Sequence, residues 1–362
     1  IRTASVGTDH TDPNEIRRRA EGALVARMEG SAVPEESREF AGMGLSGMAA
    51  HMLIARGEKV RHGENPEAIL TRAAQHTVSD FPNLLTGAGN RVIQNAYGAA
   101  QSPLVAQCRQ GSHTDFRGKS FLRLGGVGAL SPVSESGEIK STSRIEAAEG
   151  YALYSYAAMF SLSRKAIIND DLGAFGDWGR AAGQAAANTE ANLVWSLLSA
   201  ASGAGPVMGE DGKRLFSAPH GNLMTGAELS IDALGAARLI LRTRKGLDGV
   251  TPIQVKPTTL LVGPALETAA EKVLADIAAA TVGEVNPFSG KLSLAVEPRI
   301  EDEQWFIFSD LPVIEIGHLA SAPGPQVSTR DGWEVLGREF RVVLDVGAGA
   351  IDWRGVVRNP GA

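Results

Sequence analysis

Residues 161–200 read SLSRKAIINDDLGAFGDWGRAAGQAAANTEANLVWSLLSA, and this stretch decides the fold because it joins the end of a strand to a long helix. We predict that residues 161–168 finish a strand that begins upstream. The short side chains of Asn169, Asp170 and Asp171 can then accept hydrogen bonds from the free amides of a helix start. A helix over residues 172–200 would run about 40 Å at about 1.5 Å per residue.

One face of this predicted helix repeats at steps of three and four residues, as an amphipathic α-helix requires. The positions that share this packing face are Phe175, Trp178, Ala182, Ala185, Thr189, Leu193 and Leu197. The small residues at its centre would let another backbone approach closely, and the large ones would anchor its ends. Such a rod is typical of a scaffold rather than of a catalytic pocket.

The composition of the whole chain is that of an ordinary soluble protein. Of its 362 residues, 43% are hydrophobic and 21% charged, and it contains no apolar run near the length of a membrane span. A net charge of −6 argues against broad nucleic-acid affinity, which needs clustered cations. The single cysteine, Cys108, excludes an intrachain disulfide framework and is interpreted as a buried, inert thiol. This length allows two or three modules.

Residues 1–65 are interpreted as an extension rather than a core. They contain predicted helices from Pro13 through Met28 and around residues 43–53, and further helices follow from Pro66 to about His76 and over 84–97. Three methionines, Met43, Met48 and Met52, form a stripe on the second helix. We leave two interpretations open, a flexible docking face for a neighbour and a small local core.

Strand patterns follow over residues 104–109, 119–124 and 151–162, with a polar segment between the last two. Residues 125–150 are rich in glycine, serine and charged side chains and cannot bury a core alone. The segment is either a disordered linker or an extended hairpin that partners bring to order. Two arms of about 17 residues would project about 55 Å.

A second module follows the long helix. Its predicted helices cover residues 230–245 and 264–280, and its predicted strands are 258–262, 292–296, 305–309 and 313–317. Two further strands, 326–330 and 338–345, and a terminal strand within 350–357 complete an α+β chain. The sequence leaves open which module the terminal strand closes.

Sequence motifs for catalysis, cofactors and metals are incomplete. Gly118-Lys119-Ser120 lacks the glycine that a phosphate-binding loop needs, since His113 stands at that position, and the glycines at 125–128 lack the dinucleotide spacing. The seven histidines are scattered without ligand spacing. A hydrolase alternative rests on Ser217 and His220, three residues apart with no visible acid partner. We therefore assign no catalytic, cofactor-binding or metal-binding residues.

Four phrases carry a family resemblance: residues 163–175 (SRKAIINDDLGAF), 218–223 (APHGNL), 261–267 (LVGPALE) and 347–355 (GAGAIDWRG). Together with the order of parts, they make the chain similar to tailed-phage major capsid proteins of the Hong Kong 97-type fold. The resemblance is to the Mu-like major head subunit family, often encoded with a prohead protease, and it covers roughly residues 80–360.

The resemblance implies a division of the chain into named parts. These are an N-terminal arm (1–80), the first part of a peripheral domain (81–116), a projecting hairpin called the E-loop (117–156), the rest of the peripheral domain (157–225) with a spine helix (172–200), an axial domain (226–319), and peripheral return strands with the C-terminal strand (320–362). Assembly contacts from the E-loop would involve Lys119, Glu135, Glu138, Lys140 and Arg144. Some members of the fold weld subunits through a lysine, so Lys140 is either a crosslink residue or a solvated lysine.

The implied function is a non-enzymatic shell protein that self-assembles in pentamers and hexamers around the double-stranded DNA of a phage or prophage-like particle. Implied partners are a scaffold or protease domain during assembly, a portal, a decoration protein, and weak non-specific DNA contact on the inner face, with no membrane and no cofactor. The location would be the virion capsid, assembled in the bacterial cytoplasm. The start at Ile1 rather than methionine agrees with a proteolytically matured form. An encapsulin-like compartment is the alternative of the same fold.

Overall fold

The computed structural model describes residues 12–61, 63–75, 80–124, 146–169, 173–246, 249–274, 291–331 and 337–362. Its helices are α1 (Pro13–Glu29), α2 (Leu45–Ala55), α3 (Pro66–Gln75), α4 (Asp80–Ala99), α5 (Arg164–Ile168), α6 (Gly173–Gly203), α7 (Ile231–Arg242) and α8 (Glu267–Leu274). Its strands are β1 (Arg109–His113), β2 (Lys119–Leu124), β3 (Glu146–Tyr151), β4 (Tyr154–Ser163), β5 (Pro257–Val262), β6 (Ser293–Val296), β7 (Trp305–Ser309), β8 (Ile314–Leu319), β9 (Gln326–Asp331), β10 (Gly337–Ala350) and β11 (Val356–Asn359). The predicted α+β class is confirmed.

The chain forms two compact units, each built from several stretches. The first unit comprises the described parts of Ile1–Ala100, Ser155–Ala187 and Gly324–Asp345. The second unit comprises the described parts of Gln101–Tyr154, Asn188–Pro323 and Val346–Ala362. The long helix α6 and the long strand β10 each contribute residues to both units.

The helices at the start of the chain build the core of the first unit. Asp12 caps α1 by accepting a hydrogen bond from the Asn14 amide at 2.9 Å, and Gly30 ends the helix with a left-handed φ of 68°. Leu24 of α1 and Leu84 of α4 are fully buried in one cluster. The helices α1, α2 and α3 therefore pack on α4, which corrects the interpretation of this region as an extension without a core.

The methionine stripe lies in the same cluster. Met48 is 1% exposed and Met52 is 4% exposed, and the partly buried Met43 packs against them. Side chains buried within one subunit are not available to another. Of the two interpretations that the sequence left open, the local core therefore describes these residues, and the docking face does not.

Two predicted strands begin or end differently in the structure. Ser102 Oγ accepts a hydrogen bond from the Leu104 amide at 3.1 Å and starts a 3₁₀ turn, so the strand expected over 104–109 begins only at Arg109. Ser163 Oγ accepts from the Ala166 amide at 3.2 Å and caps α5. The strand expected over 161–168 therefore ends at Ser163 and a short helix follows it. The predicted Asp170 and Asp171 cap lies outside the described residues.

Strand β10 pairs with different strands along its length. In the first unit, β9 pairs antiparallel with the first part of β10, from Arg338↔Asp331 to Val343↔Gln326, and β4 belongs to the same sheet. In the second unit, the end of β10 pairs antiparallel with β8, which pairs in parallel with β1. A separate four-stranded sheet has the order β11-β7-β5-β6.

The four-stranded sheet carries the core of the second unit. Trp305 and Ile307 of β7 are buried on the face covered by α7, where Leu234 and Leu241 meet them. Phe306 points to the opposite face, with its ring centroid 5.7 Å from that of Phe216. The terminal strand β11 pairs with β7, so the last strand of the chain closes this sheet. The sequence alone had left open which module this strand closes. The predicted grouping of residues 320–362 as one peripheral segment is therefore wrong for β11, because this strand belongs to the four-stranded sheet.

Candidate functional site

The strands β2 and β3 form a two-stranded sheet of their own at the base of the expected projecting hairpin. They pair antiparallel from Lys119↔Tyr151 to Leu124↔Glu146. Residues 125–145, which would complete the hairpin, lie outside the described residues. A two-stranded ladder is marginally stable alone, so its attachment to the second unit decides how the hairpin is held.

Tyr151 attaches the end of β3 to the sheet of the second unit. Its hydroxyl donates a hydrogen bond to Glu315 Oε1 of β8 at 3.0 Å and lies 3.0 Å from His113 Nε2 of β1. Arg109 forms an ion pair with the other oxygen of Glu315. Because the single hydroxyl proton goes to the carboxylate, the His113 contact requires a proton on Nε2, which sets its tautomer.

Burial changes the protonation of this cluster. Desolvation raises the pKa of Tyr151 far above its usual range, and the charge and hydrogen bond of Glu315 raise it further. Desolvation lowers the pKa of His113, and the neighbouring charge of Lys119 adds to the effect. Both side chains are therefore neutral at physiological pH. The cluster holds one carboxylate, Glu315, against one guanidinium, Arg109.

Two glycines make room for the Tyr151 ring. A Cβ on Gly317 of β8 would collide with the Tyr151 hydroxyl, and one on Gly349 of β10 would lie 2.7 Å from the ring carbon Cδ1. A larger residue at either position would displace the tyrosine. The ring is therefore held by shape as well as by hydrogen bonds.

Glu149, two residues before Tyr151 on β3, supplies a second attachment. Its buried carboxylate accepts hydrogen bonds from the Gly209 amide at 2.8 Å and the Glu210 amide at 3.0 Å. Amide-to-carboxylate bonds of this kind are among the stronger ones in proteins. Tyr151 and Glu149 together fix the base of the hairpin at two points of the second unit.

Of the assembly residues expected in the hairpin, Lys119 is described. It is exposed at the start of β2, and its ammonium donates to the Ser112 carbonyl at 3.4 Å. Glu135, Glu138, Lys140 and Arg144 lie outside the described residues. The attachment residues Tyr151, Glu149, Glu315 and His113 were not identified from the sequence. Their one sequence signal is that three of the four tyrosines of the chain fall within residues 151–156.

The packing residues expected on α6 are divided between buried and exposed positions. Phe175 and Ala182 are buried, Trp178 is half-buried with its ring 5.2 Å from that of Phe160, and Ala185 is exposed. Leu193 and Leu197 are half-buried. In the C-terminal half of the helix, the fully buried Val194 and Leu198 each lie one residue after a predicted position, and Ala191 is fully buried as well.

Close approach between α6 and α4 occurs at two glycines of α6. A Cβ on Gly183 would lie 2.5 Å from the Ile93 carbonyl oxygen and 2.7 Å from Ala96 Cβ of α4. One on Gly179 would lie 3.1 Å from Val92 Cγ1. The sequence signal for this contact is the spacing of Gly176, Gly179 and Gly183. From the sequence, the small residues of this helix were considered together and these glycines were not singled out.

The hydrolase alternative fails on the geometry of His220. Its Nδ1 lies 3.1 Å from the Leu215 carbonyl and its Nε2 lies 3.0 Å from Asp211, so both ring nitrogens are engaged. Its ring stacks on Trp353 with centroids 4.3 Å apart. Within the described residues, the buried Ser217 Oγ has no hydrogen-bond partner. The two side chains do not form the nucleophile and base pair that such chemistry requires.

Other candidate chemistry is sparse in the described part of the chain. Cys108 is buried as expected, and burial, with the neighbouring charge of Glu190, raises the pKa of its thiol to about 12. No group of histidine, cysteine and acidic side chains in the described ranges could hold a metal ion. Among the same residues, no helix is long and apolar enough to cross a membrane.

A family model described as phage capsid protein matches residues 146–359, which is more than half of the chain. The chain belongs to the phage capsid protein family. The prediction of a major capsid protein of a phage head, a structural component of the virion, is thereby confirmed. The match includes β3 with its attachments Tyr151 and Glu149, the helix α6, and the whole four-stranded sheet β11-β7-β5-β6.

A search of curated proteins finds no match. Similar solved structures include one described as Mycobacterium phage Adephagia (TM-score 0.48, 13% identity, 72% of this chain and 90% of that chain covered) and the capsid of the cyanophage P-SCSP1u (0.48, 9%, 71% and 86%). A virus-like particle from Pyrococcus furiosus is also similar (0.41, 14%, 74% and 96%).

Proposed function

We propose that this phage capsid protein self-assembles into the closed icosahedral shell that encloses a double-stranded DNA genome. The family match over residues 146–359 carries the proposal, because it places the chain in a class of proteins whose role is the shell itself. The parts implied by the sequence resemblance belong to the same proposal. They are an E-loop over 117–156, a spine helix within 172–200, and an axial domain over 226–319.

The attachment of β3 supports an assembly role for the hairpin. A polar segment that buries no core gains little stability from its own chain. Two buried attachments at its base would therefore serve to hold it in position for contact with a neighbouring subunit. Tyr151 and Glu149 hold the direction of the hairpin, while the segment beyond β2 supplies the contacts. Each subunit then makes the same contact with several neighbours, and the sum of these contacts, rather than one strong interface, stabilises the shell.

Imaging of the purified protein by negative-stain electron microscopy tests the proposal. Closed particles of megadalton mass are expected, and mass photometry of the same sample provides the count of subunits. A protein that stays monomeric or forms a small fixed oligomer at all concentrations would overturn it. Particle contents separate a phage head, which holds nucleic acid, from an encapsulin-like compartment, which holds protein.

The remaining partners belong to the same proposal. The resemblance to the Mu-like head subunit family favours assembly with a scaffold or protease domain and a portal, with a decoration protein as a further candidate partner, and a proteolytically matured subunit. The mild negative charge favours weak, non-specific DNA contact. Mass spectrometry of subunits from mature particles would reveal processing, and denaturing gels would show a Lys140 crosslink as a ladder of multimers.

A further inference from the structure

One face of α7 stands exposed on the second unit. Ser230 Oγ caps the helix by accepting from the Ala233 amide at 3.2 Å, and Leu234, Ala237 and Leu241 bury the inner face against the four-stranded sheet. The outer face, which we call the α7 face, consists of Ile231, Asp232, Gly235, Ala236, Leu239 and Arg242.

The α7 face has a ridge and a gap along its length. Leu239 is 63% exposed and Ile231 is 41% exposed, with Gly235 midway between them. Residues four apart on a helix lie above one another, so these three positions form one line. Single exposed leucines are common on protein surfaces. A leucine one turn from a glycine on the same line, however, offers both a projection and a recess of similar size.

Opposite charges lie at the two ends of the same face. Asp232 and Arg242 are exposed and about 15 Å apart along the helix at about 1.5 Å per residue. Within the described residues, neither forms an ion pair. Opposite charges at opposite ends are complementary to a second copy of the same face.

We propose that the α7 face is a contact between two copies of this chain, with the helices antiparallel. The pairing that sets Asp232 of one copy opposite Arg242 of the other is centred on position 237. The same pairing sets Leu239 of one copy opposite Gly235 of the other, because that pair is centred on 237 as well. The charged pair and the leucine–glycine pair thus favour the same alignment of the two antiparallel helices, and each does so without reference to the other. The inference rests on the proposed self-assembly and names one surface that takes part in it.

The simpler explanation of the two charges is stabilisation of the helix itself. An acid in the first turn and a base in the last turn each favour the helix dipole. The two explanations predict opposite results for a charge exchange. Reversing both charges in one chain harms the helix at both ends, whereas it restores the pairing between copies.

The experiment compares Asp232→Arg, Arg242→Asp and the double exchange in the full chain. Each single variant brings like charges together at the contact, and we expect at least a tenfold weaker association by analytical ultracentrifugation at low salt. The double variant is expected to return to within about threefold of the parent protein. Leu239→Ala should weaken association, while Val250→Ala, an exposed apolar residue outside the face, should not. Melting curves check that each variant is folded.

Two results would overturn the inference. Single variants that associate like the parent would show that the face is not a contact. A double variant as weak as the singles would show that the charges act elsewhere, on the helix or on a different partner such as DNA. If the parent forms shells in either case, the proposed function stands while this inference falls. If the parent does not self-associate at all, both fall.

Discussion

At the scale of single residues, Tyr151 shows how one hydroxyl can hold an element that carries little core of its own. It joins β3 to Glu315 of β8 and to His113 of β1, and the two glycines around its ring leave no room for adjustment. Buried polar groups are costly when one partner is removed, because the other partner then stays unpaired and away from water.

Replacing Tyr151 with phenylalanine removes only the hydroxyl. The Glu315 carboxylate and His113 Nε2 then lose a buried partner, and we expect the free energy of unfolding to fall by about 1–3 kcal/mol. Chemical denaturation of the unassembled subunit measures this. Tyr154→Phe is the matched control, since Tyr154 is 65% exposed, and it should change stability by less than about 0.5 kcal/mol. Equal effects of the two variants would contradict the anchor role.

Gly183 sets the distance between α6 and α4 in the first unit. A methyl group there would meet the Ile93 carbonyl oxygen at 2.5 Å, so the Gly183→Ala variant must push the two backbones apart. We expect a loss of about 1–3 kcal/mol in unfolding free energy, as is usual for an overpacked interior. Thermal unfolding of the subunit measures the change.

Gly98→Ala in α4 is the matched control for Gly183. Gly98 is exposed, and a Cβ on it meets no atom within 4 Å. The same change there should stabilise the helix by roughly 0.5–1 kcal/mol through helix propensity. Destabilisation by both variants would mean that the close approach at Gly183 is not what constrains the two helices.

At the scale of elements, the end of α6 contains a strained turn. Ala201 and Ser202 have φ values of 51° and 57°, which non-glycine residues rarely adopt, before Gly203 closes the helix with φ of 82°. Arg358 of β11 donates to the Gly203 carbonyl at 2.8 Å and helps to hold this conformation. The tertiary contact thus stabilises a backbone shape that the local sequence disfavours.

Ala201→Gly should relieve part of this strain. The residue is exposed, so no packing is lost, and relief of about 1–2 kcal/mol outweighs the greater freedom that glycine gives the unfolded chain. We expect a small rise in melting temperature. The contrasting variant is Ala185→Gly, in the regular part of the same helix, which should lower stability by about 1 kcal/mol. A fall in both would argue against strain at Ala201.

Elements with strong local signals were predicted well. Helix α7 begins directly after Ser230, where the pattern placed its start, and the apolar strand β7 covers the predicted residues 305–309. Two strand boundaries were predicted wrongly, and at each of them a serine side chain forms a hydrogen bond with the backbone. Ser102 starts a turn and Ser163 starts a helix, and in both cases a side chain competes with the strand pattern for the backbone.

At the scale of the whole molecule, the segment between β2 and β3 tests the assembly mechanism. We expect that replacing residues 126–145 with a short glycine-serine turn leaves a folded subunit, because Tyr151 and Glu149 remain in place. Closed shells should be lost, since the removed segment supplies the contacts with neighbours. Circular dichroism reports the fold, and electron microscopy reports the particles.

A second variant separates the length of the hairpin from its side chains. Glycine and serine residues in the same number keep the reach of residues 126–145 and remove their charges. Loss of shells in both variants would assign the contacts to the side chains. Normal particles from the short-turn variant would refute the assignment of this segment as the assembly loop.

The sequence by itself determined the α+β class, the long helix, most strands and the capsid family, because those depend on local periodicity and on phrases of adjacent residues. Only the tertiary structure decided that the first helices form a core with Met48, that β11 closes the second sheet, and that Tyr151 meets Glu315. These pairs lie far apart in the chain, and no local pattern encodes which buried groups will share a partner. Burial and hydrogen bonding between residues far apart in the sequence depend on how helices and sheets pack against one another, so only the folded chain shows them.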